Sequence, residues 1–172
     1  KSIITVIIVI ILALAIIVTI ILLFVLDDPE ENVLDGLLER QFPEIKDRFE
    51  FTIENSSKTF FEISSSGSSP SSTKIKIKGD SKLSIASGLG HYLRYHALSQ
   101  VSWTGDSLKN IKDKKLPPVN GKIRRTSKLQ YSYYMNVCTQ SYSASWWDWP
   151  RWEREIDWMA LNGINLPLAF TG

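Results

Sequence analysis

Three patterns of hydrophobic and polar positions succeed one another along this chain. From Ile3 to Leu26 the residues are Ile, Leu, Val and Phe, broken only by Thr5, Ala13, Ala15 and Thr19, with no charge and no proline. A helix of that length rises about 36 Å, more than the ~30 Å hydrocarbon core of a bilayer, so the pattern predicts a transmembrane helix over residues 3–26. A cleaved signal peptide is the alternative. Its apolar region is normally about 7 to 15 residues with small residues at the cut, whereas this run is longer and ends Val25-Leu26-Asp27-Asp28. Lys1 precedes the run, while Asp27, Asp28, Glu30 and Glu31 follow it. The positive-inside tendency therefore places the C-terminal bulk on the lumenal or outer side, as a single-pass membrane protein of the lysosome, endomembranes or cell surface. Asn55-Ser56-Ser57 is an N-glycosylation acceptor pattern, usable only on that side. The chain opens on Lys1 rather than Met and stops at Gly172 just after an apolar run, so both ends read as truncations.

The second pattern mixes periods. Val33, Leu34, Leu37, Leu38 and Phe42 follow helical spacing, and Pro43 stops that helix. Phe49, Phe51 and Ile53 alternate with polar residues, as do Phe61 and Ile63 around Glu62, giving two half-buried strands. Ser64 to Thr73 collapses to Ser, Gly and Pro and reads as a surface loop. Lys74-Ile75-Lys76-Ile77-Lys78 alternates strictly, a strand with isoleucines inward and lysines outward, ended by Gly79. Asp80 or Ser81 can cap a helix whose inner stripe is Ile85, Leu89, Tyr92 and His96. Val101 and Trp103 suggest one more strand, with a turn at Thr104-Gly105-Asp106. Together these predict a small α+β domain over 32–105. Residues 106–128, containing Pro117-Pro118 and Asn120-Gly121, read as a linker or an extended edge strand.

The third pattern begins at Leu129. Leu129 to Val137 is rich in tyrosine and predicts a strand; Cys138 to Trp147 has no periodicity and predicts a loop. Asp148 can cap the next helix, where Pro150 is tolerated in the first turn. On that helix Trp152, Ile156, Met159 and Ala160 form an apolar stripe, with Arg151, Glu153, Arg154, Glu155 and Asp157 on the other faces. Asn162-Gly163 closes it, and Ile164 to Phe170 reads as a strand buried on both faces, although Pro167 removes one ladder donor. Strand, loop, helix, strand is a βαβ unit with a parallel pair.

Charge changes this picture little. The overall balance is only +2. It is segregated, from −7 over residues 27–62 to +10 over 74–128 and −2 over 129–172. A basic block can meet nucleic acid, anionic lipid or sulfated polysaccharide, or can simply be a solvated face. A lumenal address argues against nucleic acid, so no nucleic-acid partner is expected.

The run Asn136-Val137-Cys138-Thr139-Gln140-Ser141-Tyr142-Ser143, then Trp146-Trp147-Asp148-Trp149, then Arg151 through Leu166, closely resembles glycoside hydrolase family 89, the alpha-N-acetylglucosaminidases. The likeness reaches upstream through Ile75 to Gly79, Ala86 to Tyr95 and Val101 to Gly105, and covers roughly residues 33–172. With the apolar N-terminus, the expected fold class is a transmembrane helix, a small α+β domain, and the truncated start of a (β/α)8 TIM barrel over 129–172. The resemblance implies a retaining glycosidase that removes terminal alpha-linked N-acetylglucosamine, notably from heparan sulfate in lysosomes. It implies no cofactor and no metal. The alternative is a membrane-tethered glycan-binding or inactive relative.

Retention needs two carboxylates about 5 to 5.5 Å apart. The resemblance places both, as glutamates, beyond residue 172, so no catalytic residue is expected in this stretch and the fragment alone is expected to be inactive. Glu153, Glu155 and Asp157 are expected to face solvent or form salt bridges. By the same motif Asn136 and Cys138 would line the sugar pocket. Cys138 is the only cysteine, and both histidines, His91 and His96, lie in the other domain, so it lacks the base a nucleophile needs. Trp146, Trp147 and Trp149 have the faces to stack on sugars, although packing is the commoner use beside a helix start.

Overall fold

The computed structural model describes residues 12, 15–16, 32–103 and 105–168. The chain divides into two units, residues 1–36 and 37–172. In the first, Leu12, Ala15 and Ile16 are helical, and helix α1 (Asn32–Gln41) begins. The expected fold class needs correction here. Among the described residues no helix is long and apolar enough to cross a membrane. The longest, at 14 residues, rises about 21 Å and carries Lys, Arg and His. The span read at 3–26 otherwise lies outside the described residues. What the structure describes is an α+β assembly.

Within the second unit, α1 ends at Gln41, and Pro43 opens a 3-10 helix (Pro43–Arg48) rather than only stopping the chain. Leu37, Leu38, Phe42 and Ile45 are buried there. Four strands follow: β1 (Phe49–Ile53), β2 (Phe60–Ser66), β3 (Lys74–Gly79) and, after helices α2 (Lys82–Tyr95) and α3 (Lys109–Lys112), β4 (Ile123–Thr126). The sheet order is β1-β3-β2-β4, with β1 parallel to β3 and the other pairs antiparallel. Residues 123–126 thus form an edge strand of this sheet within the stretch read as linker or edge. The serine-rich stretch is partly strand, since β2 runs through Ser66 against Lys74. The strand expected at Val101 and Trp103 does not form: only an isolated bridge joins Gln100 to Ser107.

The Lys-Ile alternation of β3 behaves as its period requires. Ile75 and Ile77 are fully buried, while Lys76 and Lys78 face Glu50 and Glu54 at 3.1 and 3.7 Å. Lys122 and Arg124 both reach Glu62 at 3.4 Å. Acids on neighbouring strands therefore interleave with the basic block, which forms a mixed solvated face.

Helix α2 lies between this sheet and the next element. Ser81 caps it by accepting the Ser84 amide at 3.2 Å, and Asp80 braces the turn by accepting from Ser84 Oγ and from the Phe60 amide. Ile85, Leu89 and Tyr92 are fully buried. Gly88 and Gly90 stand about 200° apart around the helix. A side chain at Gly88 would press on Ile77 and Phe61 of the sheet, and one at Gly90 would overlap the Leu161 carbonyl of helix α4 (Trp149–Leu161). Two glycines thus let one helix approach two neighbours.

The last segment is the βαβ unit. Strand β5 (Tyr133–Tyr134) pairs in parallel with β6 (Leu166–Pro167), and α4 is the crossover. Asn165 ties the start of the pair by accepting the Ser132 amide at 2.7 Å and donating to the Gln130 carbonyl at 2.8 Å. The Leu166 and Leu168 amides bond to Ser132 and Tyr134 carbonyls, so the amide that Pro167 lacks would have faced away from β5. The strands are shorter than the expected 129–137 and 164–170, the latter running past the described residues. Leu166 and Pro167 are exposed, which corrects the expectation of burial on both faces. Among the described residues no further strand joins this two-stranded sheet.

Candidate functional site

The C-terminal end of β5 is where a βαβ unit presents side chains for chemistry, because active sites of such barrels sit on the loops that leave the strands. Tyr134 is the last residue in strand geometry. Met135 then takes φ +72°, a left-handed conformation uncommon outside glycine. Its side chain is nonetheless buried, so packing holds the kink. The turn it makes ends the strand early and directs the following residues into a tight loop.

Asn136 organises that loop. Its Oδ1 accepts from the amides of Cys138 and Thr139 at 2.9 and 3.1 Å and from the Thr139 hydroxyl at 3.2 Å. This side-chain turn leads into a short 3-10 helix (Thr139–Ser141). With the carbonyl oxygen committed inward, the Nδ2 amide has no partner among the described residues and remains a donor. Cys138 is exposed and in no disulfide. The two residues singled out by motif are therefore joined by a hydrogen bond, both on the outer surface of one turn. Among the described residues no cluster of His, Cys, Asp and Glu could hold a metal ion. Asn55 sits apart from them, exposed on the connection between β1 and β2.

The tryptophans divide. Trp147 packs edge-on against Trp103 and Trp152, with ring centroids 5.6 and 5.0 Å away. Trp146 is 95% exposed and Trp149 65%, so neither is core.

The acidic residues of α4 divide as well. Asp148 caps the helix by accepting the Arg151 amide at 3.1 Å, as its position suggests. Glu155 and Asp157, expected to face solvent or form salt bridges, form the bridges but are buried, at 1% and 3% exposure, while Ile156 of the supposed apolar stripe is 46% exposed. Asp157 receives the Arg40 fork at 2.9 and 2.7 Å and Gln41 at 3.0 Å. Glu155 accepts from the Tyr134 hydroxyl at 2.6 Å and Trp103 Nε1 at 3.1 Å on one oxygen, and from Arg151 at 2.8 Å on the other. The Arg151 guanidinium lies 3.8 Å over the Trp147 ring. Burial and the Glu155 carboxylate together push the Tyr134 phenol well above the usual tyrosine range, so it stays a donor.

Sequence reasoning missed this cluster, the Met135 kink and the Arg40 fork. One local signal was present: Arg151 and Glu155 stand four apart on α4, the spacing that brings helical side chains together. Arg40, Trp103 and Tyr134 come from elsewhere in the chain and leave no periodic trace. A cleft of about 350 Å³ lies elsewhere. It opens beside Ser87, Arg125, Ser132 and Asn162, towards the start of β5 rather than its end.

Comparison with known proteins sets this geometry in context. The family model for the alpha-N-acetylglucosaminidase N-terminal domain matches residues 32–118, and that for the TIM-barrel domain matches 132–172. Human alpha-N-acetylglucosaminidase is 50% identical over 99 residues, which cover 58% of this chain and 13% of that protein. A family 89 glycoside hydrolase from Clostridium perfringens, solved with 2-acetamido-1,2-dideoxynojirmycin, superposes with a TM-score of 0.73 at 32% identity, covering 84% of this chain and 17% of its own. The same enzyme with two glutamates changed to glutamine, in complex with its substrate GlcNAc-alpha-1,4-galactose, gives a TM-score of 0.70 at 35% identity, covering 79% and 15%. The chain thus spans roughly a seventh of the relatives it matches.

Proposed function

The chain belongs to the alpha-N-acetylglucosaminidase family, and from that premise we propose that it is the N-terminal part of a retaining glycosidase that removes terminal alpha-linked N-acetylglucosamine. The observation that carries the reading is the strand end. A βαβ unit of the family's barrel projects Asn136 and Cys138 from the C-terminal end of its first strand, where such barrels place substrate contacts. Asn136 Nδ2 donates to a sugar oxygen, and the small Cys138 side chain forms a wall. The bond cleavage itself is left to two carboxylates elsewhere in the full-length protein. Asp148, Glu155 and Asp157 are committed to a cap, a hydrogen-bonded cluster and an arginine fork, and cannot turn towards a substrate without leaving those donors unpaired. The clostridial relative, solved with its substrate after two glutamate replacements, supports that division of labour.

The natural substrate is proposed to be a glycosaminoglycan end such as that of heparan sulfate. The address is proposed to be lumenal, with Asn55 on an exposed loop as a glycan acceptor. Full-length protein should hydrolyse a synthetic alpha-N-acetylglucosaminide and not its beta anomer. NMR of the first product should show the alpha sugar, because double displacement retains configuration. It should also remove the terminal residue from a heparan oligosaccharide ending in alpha-N-acetylglucosamine. The 172-residue chain alone should release none. A full-length protein that binds the sugar without cleaving it would favour a binding relative, and a beta product would overturn retention.

A further inference from the structure

We infer that Glu155 is a positioning residue for the sugar site, and that Trp103 brings the small domain into the same task. The inference rests on the function proposed above and concerns how the loop carrying Asn136 and Cys138 is held. That loop leaves β5 after Tyr134 and returns to α4 at Asp148. Both of its ends meet one buried carboxylate. At the start, the Tyr134 hydroxyl donates to Glu155 Oε1 at 2.6 Å, one residue before the Met135 kink and two before Asn136. At the return, Trp147 is stacked on Arg151, whose guanidinium donates to Glu155 Oε2 at 2.8 Å. Glu155 is 1% exposed. A buried carboxylate with three donors has a single arrangement that leaves no group unpaired, which makes it a rigid anchor.

Trp103 adds the small domain. It lies in the segment after α2, outside the βαβ unit, yet its Nε1 donates to the same Glu155 oxygen at 3.1 Å and its ring meets Trp147 at 5.6 Å. On the same segment Asp106 receives the Arg154 fork at 3.2 and 2.7 Å. The segment after α2 thereby grips α4 at two adjacent residues, Arg154 and Glu155, the second being the carboxylate that fixes the loop. The loop's shape depends on a domain that contributes no sugar contact.

The effect belongs in binding rather than in bond cleavage. A loop no longer held must be ordered when substrate arrives, and the entropy of ordering is lost in the binding step. The cleaving carboxylates lie on other elements and keep their own supports. The test uses the full-length enzyme with Tyr134→Phe, which keeps the ring and removes the hydroxyl donor, and Trp103→Phe, which removes the indole N–H and trims the ring against Trp147, beside Glu155→Gln. Kinetics on the synthetic alpha-glycoside, binding of 2-acetamido-1,2-dideoxynojirmycin and thermal melts are measured together. The expected result is a KM and an inhibitor Kd raised about tenfold in the phenylalanine variants, kcat within about twofold, and melting within a few degrees of the wild type. Glu155→Gln should show the same split more strongly in whatever fraction folds. Early melting with unchanged KM and Kd in the folded fraction means the cluster is scaffold only and overturns the inference, leaving the proposed function intact. A wild-type enzyme inactive on the alpha anomer overturns both.

Discussion

In the four-stranded sheet, apolar side chains go in and charges stay out. Ile63, Ile75 and Ile77 are fully buried, while Glu50, Lys74 and Lys76 meet one another in solvent. Around α4 the order is inverted. Glu155 and Asp157 are buried while Ile156, between them, and Trp146 and Trp149, before them, are exposed. The sheet is covered by its own helix α2, so local hydrophobicity decides what is inside. The βαβ unit has only two strands and is held from the side by the small domain, through Arg40, Trp103 and Asp106. What lies inside there is set by partners supplied from a distance, and those partners are polar. Buried charge is tolerated where every oxygen finds a donor.

The largest way to break the comparison is at the seam itself. Gly90→Ala sets a methyl into the Leu161 carbonyl, which is backbone and cannot rotate aside. Separation of α2 from α4 should cost about 3 kcal/mol, the upper end for overpacking. Urea denaturation of the chain from Asn32 onward measures it. Gly105→Ala, with nothing near its Cβ though its φ of +138° adds backbone strain, should cost less.

Next comes the fork. Arg40→Ala leaves Asp157, whose side chain is 4% exposed, with Gln41 as its remaining donor. Stranding a buried carboxylate costs roughly 3 to 5 kcal/mol. The Arg40 side chain is 38% exposed, so water reaches the vacated place and about 2 kcal/mol is expected. The double variant with Asp157→Asn should recover much of that. No recovery would mean that Arg40 contributes through packing rather than charge.

A third prediction separates turn from contact at the strand end. Asn136→Asp keeps an oxygen for the Cys138 and Thr139 amides and replaces the Nδ2 donor with a charged acceptor. Full-length enzyme should therefore melt normally, while kcat/KM falls roughly 5- to 150-fold, the equivalent of about 1 to 3 kcal/mol for one unpaired partner. Asn136→Ala also loses these turn bonds and should melt earlier by the equivalent of about 1 kcal/mol. If the aspartate variant keeps normal kinetics, Asn136 is a turn residue and nothing more.

The same contrast explains what the sequence could reveal. The β3 alternation and the α2 stripe were legible because each element packs on a neighbour of its own domain, and such packing imposes a period. The cap at Asp148, the Gly163 turn at φ +69° and the parallel pair were legible from local chemistry. The inner face of α4 was not. Its determinants, Arg40 and Trp103, lie 117 and 52 residues from their acceptors. No window of a helix's own length contains them. Tyrosine-rich Leu129 to Val137 reads as a long strand because propensity is blind to the single kink at Met135. Asn136 and Cys138 were legible only through the motif, since an exposed amide and an exposed thiol carry no period.

The smallest expected effects come from pH and divide the helix side of the sheet from its solvent face. Burial, with Arg125, His96 and Arg94 nearby, lowers the His91 pKa below its ordinary 6.5. A lowered histidine binds its proton more readily when unfolded, so its stabilising share is whole above about pH 6.5 and is lost as pH falls through the folded value. On the sheet face the Lys76 hydrogen bond lowers Glu50, and Lys122 and Arg124 lower Glu62 against the burial that opposes them. Their share is present above the ordinary 4.5 and is lost only as pH falls below it. Melting temperature against pH should therefore decline in two stages. His91→Gln should reduce the upper stage to the share of His96, which burial also lowers, and leave the lower one, while Glu50→Gln should trim the lower one alone. Salt sharpens the distinction, because exposed pairs are screened within about 10 Å at 0.1 M whereas desolvation of a half-buried ring is not. Raising salt should shrink the Glu50 effect and spare that of His91. An upper stage that salt abolishes would mean the histidine is governed by neighbouring arginines rather than by burial.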